Sequence, residues 1–417
     1  MPNHILIWII AGLAFCGVIV RPFRIFEAVW PVGGATLLVI FGLISPSTAL
    51  TGVAKGTEVY LFLTGMMLLA EVARREGLFD WLAALATSHA HGSARRLFLF
   101  TYVVGTIVTT FLSNDATAVV LTPAVAAAVK TARAEKPIPY LLVCAFIANA
   151  ASFVLPISNP ANLVIYGSHM PPLPQWLPRY LLPSAVSIVA TYLTLWWTQR
   201  RLLRQTIAKD VPVPALSVGG KIAAAGNIAA AVLLLGASAM DIQLGLPTCI
   251  AGTATAVIVL IPRPAQTWSI LKEISWGVLP LVAGLFILVE ALDQTGVIGT
   301  MSALLRQAAA GSSAGAAWAA GVVVAIVSNL ANNLPVALIA GSVVQSDHAV
   351  EHVTRAVLIG VDLGPNLSVT GSLATILWLA ALRREGLAVG FRTFLKIGLV
   401  VMPPALVLSI ATALLAG

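Results

Sequence analysis

The chain alternates between long apolar runs and short polar or basic breaks. About 20 apolar helical residues are enough to cross a hydrocarbon core, and a helix that is apolar on every face is typical of a membrane rather than of water. Division at charges and helix breakers predicts ten spans. They lie near residues 5–20, 28–45, 57–74, 138–168, 180–200, 222–240, 243–261, 276–294, 354–382 and 395–415. The pattern therefore predicts an all-α polytopic membrane protein.

Two further apolar stretches, near 97–129 and 314–345, are long enough for two helices each but are interrupted by polar residues at the middle. We interpret both as re-entrant hairpins that enter and leave on the same face. The first hairpin occupies residues 95–130 on the inner side, and the second occupies residues 312–346 on the outer side.

The order of features repeats along the chain. A shift of 219 residues places Gly65, Glu71 and Gly77 on Gly284, Glu290 and Gly296. A shift of 215 pairs Ser113-Asn114 with Ser328-Asn329, and a shift of 213 pairs Asn149 with Asp362. With five spans in each half, the second copy must be inverted, as in many secondary transporters. The predicted units are an N-terminal repeat (1–203), a cytoplasmic linker (204–221) and a C-terminal inverted repeat (222–417).

The distribution of charge supports this topology. Only 10% of residues are charged and 59% are hydrophobic, and the excess of eight positive charges is scattered between apolar runs, which indicates topology signals rather than a nucleic-acid surface. With both termini outside and each hairpin returning to its own side, 20 of the 24 Lys and Arg residues lie on the inner face. The outer face keeps only Lys55, Arg179, Arg306 and Arg355.

Polar residues cluster at four predicted breaks, where the bilayer should tolerate them least: residues 113–117, 158–162, 328–333 and 362–372. Proline and glycine at the breaks free backbone groups that hydrocarbon cannot satisfy, so broken helices are tolerated only inside protein or around a wet cavity. A small-molecule site fits better than simple interhelical contacts. The predicted substrate-binding residues are Ser113, Asn114, Thr117, Ser158, Asn159, Asn162, Asn329, Asn332, Asn333, Thr370, Gly371 and Ser372.

Asp115 and Asp362 are the carboxylates predicted deepest in the membrane. A charge there costs several kcal/mol unless it is neutralised or paired, so we predict that both carry protons, with a structural role as the alternative. Asn149 stands at the position equivalent to Asp362, so we predict that one half carries the proton and the other contributes only hydrogen bonds to coupling. Glu71 and Glu290 lie near predicted helix ends and are expected at the interface.

Other chemistry is poorly supported. The chain lacks the G-x-x-x-x-G-K-[ST] phosphate loop, so any ATP-driven energy must come from a separate subunit. Cys16, Cys144 and Cys249 are odd in number and lie in apolar segments, which favours buried thiols over a disulfide or metal cluster. No cofactor or resident metal is predicted. An intramembrane enzyme or a passive channel stays as an alternative class, although no nucleophile and base arrangement supports the enzyme.

The breaks resemble the bacterial arsenite/antimonite efflux permeases (ArsB) of the ion-transporter superfamily. The likeness covers essentially the whole chain. It is carried by Ser113-Asn114-Asp115 with Leu121-Thr122-Pro123, by Ile147 to Ser152 with Ser158-Asn159, by Asn332 to Pro335, and by Asp362-Leu363-Gly364-Pro365 with Gly371 to Thr375.

This resemblance implies extrusion of trivalent arsenic or antimony across a bacterial cytoplasmic membrane in exchange for protons, sometimes with an accessory soluble ATPase. It also implies an elevator-type transport unit that slides against a scaffold. The chain departs from the family at Asn149, where an acidic residue is expected, so proton carriage falls on Asp115 and Asp362. Sodium, silicic acid or a dicarboxylate are the alternative cargoes.

Overall fold

The computed structural model describes residues 2–20, 25–209, 211–261, 264–346 and 350–415. These ranges form twenty α-helices and no named β-strand. The helices are α1 (Pro2–Val20), α2 (Val29–Ile40), α3 (Pro46–Lys55), α4 (Thr57–Arg75), α5 (Leu78–His89), α6 (Ala94–Phe111), α7 (Thr122–Thr131), α8 (Ile138–Ala150), α9 (Pro160–Tyr166), α10 (Leu173–Gln199), α11 (Val218–Ala239), α12 (Gly245–Leu260), α13 (Pro264–Glu273), α14 (Val278–Gln294), α15 (Val297–Gly311), α16 (Ser313–Ala331), α17 (Asn333–Ser346), α18 (Glu351–Leu363), α19 (Leu373–Arg384) and α20 (Phe391–Leu415).

The elements of α1 to α10 recur in the same order in α11 to α20. Helix α4 turns into α5 at Gly77, and α14 turns into α15 at Gly296, with φ of 76° and 78°. Positive φ at the same point of both halves calls for a residue without a Cβ atom. Helix α5 then contacts both α6 and α7, as α15 contacts both α16 and α17. The repeat boundaries and the inverted orientation stay predictions.

Packing between the halves is reciprocal. Helix α4 crosses α12, and α14 crosses α2, while α10 packs on its counterpart α20. A methyl group on Gly65 would overlap the backbone of Thr248 in α12, and one on Gly284 would meet the backbone of Pro31 in α2. Small residues let helix backbones approach closely where no hydrophobic force drives them together. The aligned glycines therefore mark equivalent helix crossings.

The two aligned glutamates make ion pairs at helix ends. Glu290 in α14 accepts from Lys55 Nζ of α3 at 2.6 Å. Glu71 in α4 accepts from Arg74 Nε at 2.9 Å, and Arg75 pairs with Glu273 of α13 at 2.6 Å. These contacts tie the short helices α3 and α13 to the longer helices beside them.

Several apolar helices are long enough to span a membrane. By length and composition, α10, α11, α16 and α20 qualify alone, and the bent pairs α3–α4 (48°) and α14–α15 (73°) qualify as units, which gives up to six. The other predicted spans consist of shorter or broken helices. Residues 138–168 divide into α8 and α9, and 354–382 divide into α18 and α19. The molecule is an all-helical polytopic membrane protein.

Some boundaries differ from the sequence-based expectation. Helix α11 begins at Val218, so the end of the predicted linker is helical, and α10 ends at Gln199. Short helices α3, α5, α13 and α15 were not predicted as separate elements. Arg21, Arg24 and Arg263, which we predict at the inner face, lie outside the described residues.

Candidate transport site

Two half-helices begin at the breaks that follow α8 and α18. Asn159 is extended (φ −150°), and its Oδ1 accepts from Ala161 N at 3.0 Å, which caps α9. Ser372 is extended as well, and its Oγ accepts from Thr375 N at 3.1 Å, which caps α19. Helix N-termini present free N–H groups and partial positive charge. The two caps occupy equivalent places in the halves and are buried.

The centre of the site is a bond between the halves. Asn159 Nδ2 donates to Asp362 Oδ1 at 2.6 Å, and Asp362 is 1% exposed. Asp362 Oδ2 has no hydrogen-bond donor in the described part of the chain. Ser152 lies close to this carboxyl group, but its hydroxyl donates to Asn149 O at 2.7 Å. A buried acceptor without a partner costs about 1–3 kcal/mol, so this oxygen is suited to a proton or to a bound donor.

The side-chain amides of Asn149 and Asn366 form a second bond between the halves. Asn149 Nδ2 donates to Asn366 Oδ1 at 2.9 Å and to Ala145 O at 3.4 Å. Asn366 Nδ2 in turn donates to Phe146 O at 3.1 Å. Both asparagines are at most 1% exposed. Asn149 therefore serves as a hydrogen-bond donor where its counterpart Asp362 has an open acceptor.

The tip of the second hairpin packs on the break after α18. Asn329 Nδ2 donates to Gly364 O at 2.9 Å, and Asn329 Oδ1 accepts from Ser368 Oγ at 2.9 Å. Thr370 Oγ1 donates to Asn329 O at 2.9 Å. Asn333 N, at the start of α17, donates to Gly371 O at 2.8 Å. Side chains and backbone from hairpin and break form one continuous network.

Asn332 joins α16 to α17 in an unusual conformation. Its φ is 66° and its ψ is 148°, and it is buried. Its Oδ1 accepts from Leu334 N at 3.3 Å. A residue with a Cβ atom that is held at this φ and ψ is strained by about 1–3 kcal/mol, and such strain is concentrated at functional sites.

The tip of the first hairpin forms a separate network. Ser113 Oγ accepts from Ala116 N at 3.1 Å, and Thr117 shares a 2.8 Å hydroxyl contact with Thr109. Ser158 Oγ, from the break after α8, donates to Thr110 O at 2.9 Å. This hairpin thus packs on the break of its own half, as the second hairpin does.

Asn114 and Asp115 lie apart from the bonds between the halves. Asn114 Oδ1 accepts from Asp115 N at 2.9 Å, and Asn114 is buried. The Asp115 side chain is half-buried and makes no hydrogen bond within the described chain. Unlike Asp362, Asp115 is not held by a partner from the other half.

Asn162 supplies a second open acceptor. Its Nδ2 donates to Ser152 O at 2.9 Å, and the residue is fully buried. Its Oδ1 has no hydrogen-bond donor among the described residues. Buried side-chain oxygens normally have protein or water partners, so this one marks a position for an ordered water or a ligand.

The breaks contain amides, hydroxyls and two carboxyl groups, but no Lys, Arg or His between 109 and 122, 149 and 162, 328 and 335, or 362 and 375. The buried cation on α18, Arg355, is used elsewhere, because its Nε donates to Glu351 Oε1 at 3.0 Å. No group of three or more His, Cys, Asp or Glu that could hold a metal ion occurs in the ranges the structure describes. The four breaks therefore offer neutral hydrogen-bonding groups and two carboxyl groups, but no fixed cation.

A cavity of about 760 Å³ lies beside α9, toward the predicted outer face. None of the twelve predicted substrate-binding residues lines it. It reaches Leu163 and Val164 of α9, next in the chain to Asn162, and Leu338 of α17. Its rim carries Lys55, Glu58, Asp241, Glu290 and Asp293. Helix α9 therefore contributes residues both to the polar network and to the lining of this cavity.

Sequence reasoning missed three buried polar residues of the network: Ser152, Asn366 and Ser368. Asn366 follows Pro365 within a predicted break, so its segment carried a signal, but nothing in the sequence indicated its bond to Asn149. Ser152 lies three residues after Asn149, and Ser368 lies six residues after Asp362.

The family model described as "CitMHS: Citrate transporter" matches residues 7–360. The chain belongs to this citrate transporter family. Its sequence is similar to the arsenical pump membrane protein of Escherichia coli K12, with 25% identity over 404 residues that cover 91% of each chain. The arsenical pump membrane protein of Yersinia enterocolitica is 25% identical over 83% of each chain.

An uncharacterised transporter of Mycobacterium tuberculosis is 24% identical over 94% of each chain. Among solved structures, the YdaH transporter of Alcanivorax borkumensis shares the fold, with a TM-score of 0.57 and 14% identity, over 99% of this chain and 97% of that chain. The family and its relatives identify this CitMHS member as a multi-pass membrane transporter.

Proposed function

We propose that this transporter exports arsenite and antimonite across a bacterial cytoplasmic membrane in exchange for protons. The open Oδ2 of buried Asp362 is the observation that carries the proposal. Curated relatives over most of the chain are named arsenical pump membrane proteins.

The chemistry of the site suits this cargo. Arsenite near neutral pH is chiefly the uncharged trihydroxide, whose hydroxyls both donate and accept hydrogen bonds. Amide and hydroxyl side chains offer matching groups without a charge to neutralise. We assign substrate binding to the polar residues at the four breaks, which are Ser113, Asn114, Thr117, Ser158, Asn159, Asn162, Asn329, Asn332, Asn333, Thr370, Gly371 and Ser372. Thiolates are not needed, and Cys144 is fully buried in α8.

Asp362 is the principal proton carrier in this proposal. Its ionised form accepts from Asn159 and leaves a charge that a substrate hydroxyl can bind, whereas its protonated form is neutral. After the substrate leaves, a proton binds Asp362 in its place. The site then returns across the membrane as a neutral carboxylic acid, which avoids the cost of a buried charge. Asp115 is the second candidate carrier, and Asn149 supports coupling only by hydrogen bonds.

Citrate is the second candidate substrate, because the family model bears that description. A tricarboxylate brings several negative charges, and the breaks supply a buried carboxyl group but no fixed cation. Charge burial without a partner is strongly unfavourable. Silicic acid would fit the same neutral groups, and sodium would fit Asp and carbonyl oxygens, so both enter the test as competing cargoes.

We further propose that hairpins and broken helices form a moving unit and that the crossings α4–α12 and α14–α2 belong to a scaffold. The close glycine contacts at those crossings support a rigid frame. In this arrangement both termini lie outside. An accessory soluble ATPase is a possible partner that the chain's own residues do not require.

Everted membrane vesicles provide the test. Acidification of the lumen should drive accumulation of arsenite, and dissipation of the proton gradient should abolish it. Parallel assays replace sodium with choline and offer citrate as cargo. Accumulation of citrate but not arsenite, or strict dependence on sodium, would refute the proposal, provided that the protein is folded and inserted.

A further inference from the structure

Helices α9 and α18 pack side by side, with the site at one end of their contact. At that end, Asn159 holds Asp362. Tyr166 lies at the far end of α9, four residues beyond Asn162 and on the same face of the helix. Arg355 lies seven residues before Asp362, two turns or about 10 Å along α18 and on the same face. The helices are antiparallel: Glu351, at the start of α18, pairs with Arg179 at 2.6 Å. The next residue in the chain, Tyr180, has its hydroxyl 2.7 Å from that of Tyr166 at the end of α9.

The far end carries a set of polar groups, here named the outer polar cluster: Tyr166, Tyr180, Arg179, Glu351 and Arg355. The two tyrosine hydroxyls lie 2.7 Å apart, and both rings are buried. Arg179 Nε lies 2.6 Å from Glu351 Oε1, which also accepts from Arg355. The opposed hydroxyls can each donate one hydrogen bond and accept another.

Two open acceptors belong to the site itself. Asp362 Oδ2 and Asn162 Oδ1 are buried and have no donor in the described chain. Asn162 also donates to the backbone of Ser152, which is close to the Asp362 carboxyl group. Two unpaired buried oxygens, in residues at most 1% exposed, point to ordered water along this seam.

The far end also borders a source of protons. Residues Leu163, Val164, Gly167 and Ser168, at the end of α9, line the cavity of about 760 Å³. Tyr166 lies between these residues in the chain. The cavity thus borders α9 on both sides of Tyr166, whose buried ring is not itself part of the lining.

We propose that protons reach Asp362 from the outer face through the Tyr166–Tyr180 pair and ordered water at Asn162. The inference rests on the proposed proton exchange and adds the route to it. In each passage, a hydroxyl accepts a proton from the outer side and releases its own toward the site. The tyrosines end unchanged, one proton leaves the outer water, and one O–H bond forms at Asp362.

Tyr166→Phe, Tyr180→Phe and the double variant test the route. Phenylalanine keeps the ring contacts with Trp176, at 5.7 Å from Tyr166 and 4.3 Å from Tyr180. Tyr102→Phe is the matched control, because Tyr102 is another buried tyrosine, whose hydroxyl donates to Ile188 O away from the seam. Two rates are measured in everted vesicles: net arsenite uptake driven by a proton gradient, and exchange of labelled for unlabelled arsenite at equal pH.

We expect the seam variants to slow net uptake about tenfold, as loss of one buried hydrogen-bonding link would, and to leave exchange unchanged. The Tyr102→Phe control should leave both rates unchanged. Unaltered net uptake in the double variant would overturn the route, and so would an equal fall of both rates, which indicates a structural role. Absence of arsenite exchange in the unmodified protein would instead refute the proposed function.

Discussion

Asn159, the cap of α9, donates to Asp362 at the end of α18 across 203 residues of sequence. The bond joins the break of one half to the break of the other. A movement that separates α9 from α18 would leave both groups buried and unpaired, at a cost of about 1–3 kcal/mol or more. Proton or substrate binding at Asp362 can therefore alter the contact between the halves.

Asp362→Asn should abolish net proton-driven transport. An amide has nearly the same shape and keeps an acceptor for Asn159, but it cannot take up and release a proton. We expect net arsenite uptake in everted vesicles to fall to background while arsenite exchange at equal pH persists. Asp115→Asn is the comparison, and we expect a smaller loss, because its half-buried carboxyl group is not bonded to the other half. Full proton-driven activity in both variants would leave coupling without a carrier.

Asn149→Asp should give transport that depends more steeply on pH. Asn149 Nδ2 donates to Asn366 Oδ1, and only a protonated aspartic acid can donate in its place. As pH rises, the introduced aspartic acid would ionise and place a second acceptor against Asn366 Oδ1, so the transport rate should fall. Initial rates of arsenite exchange at equal internal and external pH, measured over a pH series, check this, with Asn149→Ala as a control that loses the donor at every pH. Identical profiles for the unmodified protein and Asn149→Asp would contradict the prediction.

Gly371→Ala should impair transport more than it impairs folding. An added Cβ would lie 2.5 Å from Pro365 Cα and 2.8 Å from Asn329 Oδ1. Such overpacking typically costs about 1–3 kcal/mol, and here it displaces the amide that organises the hairpin. Arsenite exchange should fall severalfold, while the protein still purifies as a folded species. Gly236→Ala is the control, since an added Cβ there meets nothing within 4 Å. Equal exchange rates for the two variants would show that the contact has no role.

The positions of the helix breaks could be predicted from sequence because their causes are local. Proline, glycine and capping residues near Asn159, Asn332, Gly364 and Ser372 interrupt helices wherever the rest of the chain lies. The breaks at α8–α9, α16–α17 and α18–α19 accordingly fall within predicted segments.

The partners at these breaks could not be predicted. Asn149 bonds to Asn366, and Asn159 bonds to Asp362, although Asn149 and Asp362 are the aligned residues. Such pairing depends on how distant helices dock in three dimensions, which leaves no local signal in the sequence. Helices α3 and α13 were not predicted for another reason. Both are short and only weakly apolar, so they lack the long apolar run from which the membrane spans were predicted.

Replacement of Asn332 should reveal the cost of its backbone conformation. At φ 66° and ψ 148°, alanine keeps the steric conflict of a Cβ atom, whereas glycine relieves it. Both substitutions remove the side-chain bond to Leu334 N, so the difference between them isolates the backbone. We expect Asn332→Gly to unfold in detergent at a higher temperature than Asn332→Ala, with a difference of about 1 kcal/mol or more.

The same pair of variants separates strain from function at the hairpin tip. If the strained residue holds α17 in place for the bond from Asn333 N to Gly371 O, glycine should loosen the tip and lower arsenite exchange despite its greater stability. Asn333→Ala, which keeps its backbone N–H, is the control for side-chain loss alone. Equal melting temperatures for Asn332→Gly and Asn332→Ala would show that the backbone at this position relaxes without cost, and the strain would then have no part in transport.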